Sequence, residues 1–212
     1  PASFSVDKRG KGIYSIDASY RVIPQCVATG PVPFPCPAND LEGNRFENLF
    51  EGVHAVANYE PLRVVEIRDS EFENVYRPIT LSGHELAKVV GNEIVVAQHS
   101  PALGYHAGLM LVGSTRYTVE GNHFTSLGSG WGSAGTIIIN SGHEANSLYR
   151  NVIDGFHVGT LAVGMNDGPA AFDGLALKCN EYLNGTYDIY VWGGDIGLLQ
   201  GICGSASGPA GN

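Results

Sequence analysis

Aromatic side chains on glycine-rich or loop segments present flat apolar faces on which a sugar ring can stack. Trp131 in GSGWGSAG, Trp192 in YVWGG, and Tyr105, which follows a glycine in a long insertion, are residues of this kind. They are the candidate ligand contacts, with Trp131 the leading one; packing over the edge of the fold is the competing role. The chain has seven histidines: His54, His84, His99, His106, His123, His143 and His157. None has a metal-ligand spacing such as H-E-x-x-H, and only His99 and His106, bracketing the loop S-P-A-L-G-Y, are placed to meet. Hydrolysis of a glycosidic bond needs carboxylates roughly 5–9.5 Å apart. Glu66, Asp69 and Glu71 are near in sequence, but Asp69 reads as a turn residue and Glu71 as part of the next strand, so no convergence is expected. Asp167 and Asp173 flank a Gly-Pro loop and read as turn residues. A nucleophile elbow, a P-loop and a dinucleotide fingerprint are all missing from the sequence. No catalytic residue, metal site or cofactor is therefore assigned. Ca²⁺ is compatible with the acidic balance, but no cluster of acids recommends it.

Lys and Arg number 12 against 21 Asp and Glu, a formal charge of −9. Such a surface repels phosphate backbones and anionic lipid, which argues against nucleic-acid and membrane partners. No apolar run approaches the roughly 18 residues that span a bilayer. The first residues, PASFSVDKRG, lack a signal pattern and an initiator Met, so a piece of a longer chain is expected. Four cysteines, Cys26, Cys36, Cys179 and Cys203, suggest two disulfides and an oxidising compartment. The expected pairs are Cys26–Cys36, stapling a Pro-rich loop over residues 24–40, and Cys179–Cys203. Asn184-Gly185-Thr186 matches a glycosylation sequon but reads as a turn.

These residues must be positioned by a repeat. The segments LEGNRFENLF, IRDSEFENVY, VVGNEIVVAQ, VEGNHFTSLG, LYRNVIDGFH and LKCNEYLNGT align on Asn44, Ser70, Asn92, Asn122, Asn151 and Asn180. Three positions earlier stand Leu41, Ile67, Val89, Val119, Leu148 and Leu177; two later stand Phe46, Phe72, Ile94, Phe124, Ile153 and Tyr182. The period of 22–30 residues is too short for helical repeats, and stretches such as LRVVEIRD and TYDIYVW alternate as strands do. With 29 Gly and 11 Pro, many turns are expected. The apolar columns are five residues apart yet must both face inward, so the chain bends between them. Asn tolerates the left-handed conformation and can bond its neighbour one coil away, giving a structural ladder of Asn44, Asn92, Asn122, Asn151 and Asn180. A second inward strand follows at Val53/Ala55, Ile79/Leu81 and Ile189/Val191, with register slips expected at GSGWGSAGTIII and GTLAVGM. Outward positions place Glu66 beside Lys88 and Glu42 beside Arg68 as surface ion pairs. The expected fold is all-β: one domain over residues 1–212, a right-handed parallel β-helix (solenoid) of about 7 coils.

These columns resemble right-handed parallel β-helix proteins, the architecture of pectate lyases. The texture NRFENLFEGVHA, SEFENVYRPITL, LKCNEYLNGTYDIYVWGG and a closing GPAGN is similar to β-helical regions of large surface proteins that Bacteroidota export by type IX secretion. The resemblance covers about residues 40–212. It implies a secreted or cell-surface location, while the repetition without a complete site leads to the expectation of a non-catalytic structural or adhesive module of a surface or filamentous protein. Expected partners are neighbouring domains, copies end to end, and surface glycans. The alternative on the same fold is a carbohydrate-active enzyme, lyase or hydrolase, or a glycan-binding domain.

Overall fold

The computed structural model describes residues 5–27, 36–98, 100–104, 106–128, 130–170 and 173–197. They form three parallel sheets. Sheet I contains Lys11–Ile16, Glu51–Val56, Arg77–Ser82, His106–Val112, Ser133–Ile139, Val158–Val163 and Tyr187–Trp192. Sheet II contains Tyr20–Val22, Val65–Arg68, Lys88–Val90, Thr118–Glu120, Asn146–Tyr149 and Leu175–Lys178. Sheet III contains Arg45–Glu47, Glu71–Val75, Glu93–Val96, His123–Ser126, Val152–Asp154 and Glu181–Leu183. The chain visits I, II and III in turn and then repeats the circuit. Each strand therefore pairs with the equivalent strand of the circuit before and after it.

The core lies between the sheets. In sheet III, Phe46, Phe72, Ile94, Phe124, Ile153 and Tyr182 stand in register as one column. The Phe46 and Phe72 rings stack with centroids 4.7 Å apart. Sheet I faces this column with Gly52, Gly108, Gly135 and Gly159, and the glycines are required there. A Cβ at Gly135 would lie 2.3 Å from Ile153, and one at Gly159 the same distance from Tyr182. Sheet I also contributes Val53, Ile79, Leu109, Thr136 and Thr160, then Ala55, Leu81, Leu111, Ile138 and Ala162, all buried. Thr160 and Ala162 keep the offsets of nine and eleven residues from Asn151, so the slip expected at GTLAVGM does not occur. Thr136 lies fourteen residues after Asn122, because the loop carrying Trp131 is inserted before its strand. The two threonines are partnered inside the core: Thr136 Oγ1 donates to Thr160 Oγ1 at 3.0 Å, and Thr160 meets the Tyr182 hydroxyl at 3.1 Å. Burial pushes the Tyr182 phenol up to about 12.

In sheet II the inward column is Val22, Ile67, Val89, Val119, Leu148 and Leu177. Leu41 is not its first member. It lies in a two-stranded antiparallel pair, Gln25–Cys26 with Leu41–Glu42, and is 46% exposed. The insertion that carries the disulfide displaces it, and Val22 takes its place. Glu42 accordingly faces Gln25 rather than Arg68.

Between sheets II and III the Asn side chains bond along the stack. Asn92 Nδ2 donates to Asn122 Oδ1 at 2.8 Å, Asn122 to Asn151 at 2.9 Å, and Asn151 to Asn180 at 2.9 Å. Each Oδ1 also accepts the backbone N–H of the Asn one circuit below, at 3.0 Å. The chain of amides ends at Ser70, whose hydroxyl turns to its own Arg68 carbonyl. Asn44 beyond it donates to the Ile23 carbonyl at 2.8 Å. The left-handed residue of the bend is not the Asn. It is the residue before: Asp69, Gly91, Gly121, Arg150 and Cys179 have φ of 46–66°. That residue turns the chain, which leaves the Asn buried and aimed along the ladder.

Candidate functional site

The outer face of sheet I carries a groove near its last strands. Val158 and Leu161 line it together with Trp131, His157, Tyr187, Tyr190 and Trp192, enclosing about 260 Å³. Strand pairing builds it: Val158 pairs with Tyr187, Leu161 with Tyr190 and Val163 with Trp192. Trp131 arrives from the loop before Ser133–Ile139. Ser133 Oγ anchors that loop, donating to the Gly130 carbonyl at 2.9 Å and accepting the His157 N–H at 3.0 Å. The Trp131 and His157 rings lie 4.6 Å apart, tilted by 31°. Tyr187 meets His157 edge-on at 5.6 Å and Tyr190 at 5.6 Å. His157 Nδ1 is within 3.1 Å of the Thr186 hydroxyl, which fixes the imidazole plane. Trp131 is 83% exposed and Trp192 57%, so their faces are open to a ligand. Among the described residues, neither a carboxylate nor a Lys or Arg lines the groove. The arrangement suits stacking and hydrogen bonding.

Two of the three aromatic candidates thus meet in one groove; Tyr105 lies outside the described residues. His157, Tyr187 and Tyr190 were missed by sequence reading. They stand at unequal offsets from the Asn column, and only the pairing of Val158 with Tyr187 brings them beside Trp131.

The carboxylates singled out from sequence are dispersed. Glu66 is on sheet II and holds Arg21 at 3.1 Å and Arg68 at 3.3 Å; Glu71 is on sheet III; Asp69 is in the turn between them. Lys88 is in register with Glu66. Asp173 accepts the Ala170 N–H at 3.1 Å, closing its own turn. A charged cluster that sequence reading did not find lies lower on sheet I. Glu51, 4% exposed, holds Lys11 at 2.6 Å and His54 at 3.1 Å, with Arg77 at 3.8 Å. Burial alone would raise its carboxyl; the hydrogen bonds and charges of Lys11 and His54 outweigh that and hold it below the usual range.

Among the described residues no group of three or more His, Cys, Asp or Glu is arranged to hold a metal ion. His99 lies outside them. His106 is buried against Tyr76, with ring centroids 4.8 Å apart, and its Nε2 meets the Ala97 carbonyl. His84 is buried in a turn, where Nδ1 meets the Arg63 carbonyl at 2.9 Å. His123 pairs with Glu93 at 3.2 Å, and His143 meets the Asp167 carbonyl. Cys26 and Cys36 are disulfide-bonded. Cys203, and with it the expected bond to Cys179, lies outside the described residues. No helix among the described residues is long and apolar enough to cross a membrane. No protein-family model, curated protein or solved structure matches the chain.

Proposed function

We propose that the chain is a right-handed parallel β-helix that serves as a non-catalytic, extracellular adhesive module and holds glycan in the groove between Trp131 and Trp192. The handedness rests on a general rule: crossovers between parallel strands of one sheet are right-handed in about 98% of cases, and every return to sheet I is such a crossover. The observation that carries the function is the convergence of Trp131, His157, Tyr187, Tyr190 and Trp192 on one groove. Exposed aromatic faces beside Val158 and Leu161 match the apolar face of a pyranose ring. The absence of a carboxylate among the described lining residues favours binding over glycoside hydrolysis. The extracellular setting draws on the Cys26–Cys36 bond, which persists in oxidising compartments, and on the resemblance to type IX surface proteins. Neighbouring domains or copies of the chain end to end complete the partners, and the reading needs no cofactor.

Affinity electrophoresis through gels containing plant and microbial polysaccharides tests this. Retardation by at least one glycan is expected, weakened about fivefold or more in Trp131→Ala and Trp192→Ala, since each stacked ring contributes on the order of 1 kcal/mol or more. Release of reducing ends or unsaturated uronides would show an enzyme instead.

A further inference from the structure

We infer that the ligand is a neutral, extended polysaccharide chain lying along the stack, with the outward columns of sheet I as further subsites below the aromatic groove. The inference rests on the glycan-binding reading above. Two outward columns descend from the groove in register: Tyr190, Leu161, Ile137 and Met110, and Trp192, Val163, Ile139 and Val112. None of the eight carries a charge. Ile137 is buried among its neighbours, and Met110, Ile139 and Leu161 pack partly buried against the same cluster, which is separate from the core. Parallel sheets are normally covered on both faces, so this face is unusual in remaining partly open. The next strand down presents Thr80 and Ser82. Arg77 on that same strand, with Glu51 and His54 on the next and Lys11 on the one after, forms the charged cluster that ends the apolar strip.

The occupant follows from repeat and charge. The strip offers an apolar side chain at each strand, about every 4.8 Å. One pyranose ring of an extended β-linked chain advances by a similar length, so successive rings can rest on successive strands. The axial C–H face of such a chain meets the columns, while its equatorial hydroxyls point sideways into water. An uncharged strip offers no counter-charge to uronate or sulfate groups, which would lose hydration there without compensation.

Calorimetry with cello-, xylo- and manno-oligosaccharides, and gel retardation by hydroxyethylcellulose, xylan, galactomannan and polygalacturonate, test the inference on the full chain. Affinity is expected to rise about tenfold from disaccharide to tetrasaccharide in one neutral series and then level off, one ring per strand. Val112→Lys, three strands below Trp192, is expected to remove that gain and leave disaccharide binding unchanged, and Ile139→Glu, two strands below it, to remove the gain as well; Trp131→Ala is expected to weaken both. Thermal melts of each variant separate lost binding from lost folding. Affinity independent of length, or a length gain that survives both strip variants, with Trp131→Ala still impaired, would overturn the extended chain but keep the groove. Preference for polygalacturonate would overturn neutrality. A dimer by sedimentation that Ile139→Glu dissociates would assign the strip to a second copy and overturn the inference. Unaltered binding in Trp131→Ala would overturn the groove reading itself.

Discussion

Glu51 is a carboxylate that the folded chain holds ionised, with Lys11, His54 and Arg77 around it. Its folded pKa lies below the unfolded value. Its contribution to stability is therefore present above the ordinary carboxylate range and is lost as pH falls through the depressed value. Glu51→Gln should lower the melting temperature at neutral pH, and the gap to the parent should close in melts taken toward pH ~3. Equal melting at neutral pH would show that the cluster adds nothing. Phe124, fully buried in the sheet III column, is a different kind of residue. Phe124→Ala should cost about 3–5 kcal/mol in denaturant unfolding. Trp131, at 83% exposure, should melt within about 0.5 kcal/mol of the parent when changed to Ala, so a loss of glycan retention in that variant reports on binding.

At the scale of elements, the turns between sheets II and III hold the circuits in register. Asn122 donates to Asn151 and to the Val89 carbonyl and accepts twice from Asn92. Asn122→Ala leaves several of those buried groups without a partner, and a cost of roughly 2–4 kcal/mol is expected. Hydrogen exchange should localise the damage, with the Asn92 amide exchanging faster first. Sheet I and sheet III are matched by glycine against bulk. Gly135→Ala should destabilise by about 1–3 kcal/mol through its clash with Ile153. A double-mutant cycle with Ile153→Ala should recover part of that, though not all, because the Gly159 carbonyl also lies 2.8 Å from the added Cβ. Strictly additive costs would show that the clash is relieved elsewhere.

Across the whole molecule, each circuit touches only its neighbours, so disturbances should stay near their origin. The Cys26–Cys36 bond is at the end of the stack where sheet I begins, and the aromatic groove is at the other. Replacing both cysteines by Ser should lower stability by up to about 3 kcal/mol, the loop-closure value for a short loop. Faster hydrogen exchange should be confined to the first circuits, and glycan retention should be unchanged. Lost retention in that variant would mean that the stack unfolds as one unit.

The amino-acid sequence by itself determined the features set by short chain offsets. The columns running from Ile67 to Leu177 and from Phe46 to Tyr182 follow from their fixed distance to the Asn column, because one sharp bend separates them and two residues return a strand to the same face. The amide chain from Asn92 to Asn180 was legible for the same reason, whereas its break at Ser70 depends on where one hydroxyl turns. Tertiary structure alone decided the rest. Leu41 kept the right offset but lost its column, because the insertion stapled by Cys26 and Cys36 gave its strand another partner. Glu51, Lys11 and Arg77 are brought together only by pairing across three circuits. Trp131 and Trp192 could be chosen for their composition, but not joined. Offsets of nine and eleven from the Asn column held for Val53/Ala55, Ile79/Leu81, Thr160/Ala162 and Ile189/Val191, but the strands His106–Val112 and Ser133–Ile139 follow longer insertions, so chain position could not place Trp131, and only parallel pairing sets Tyr187 and Tyr190 beside His157 to make one groove.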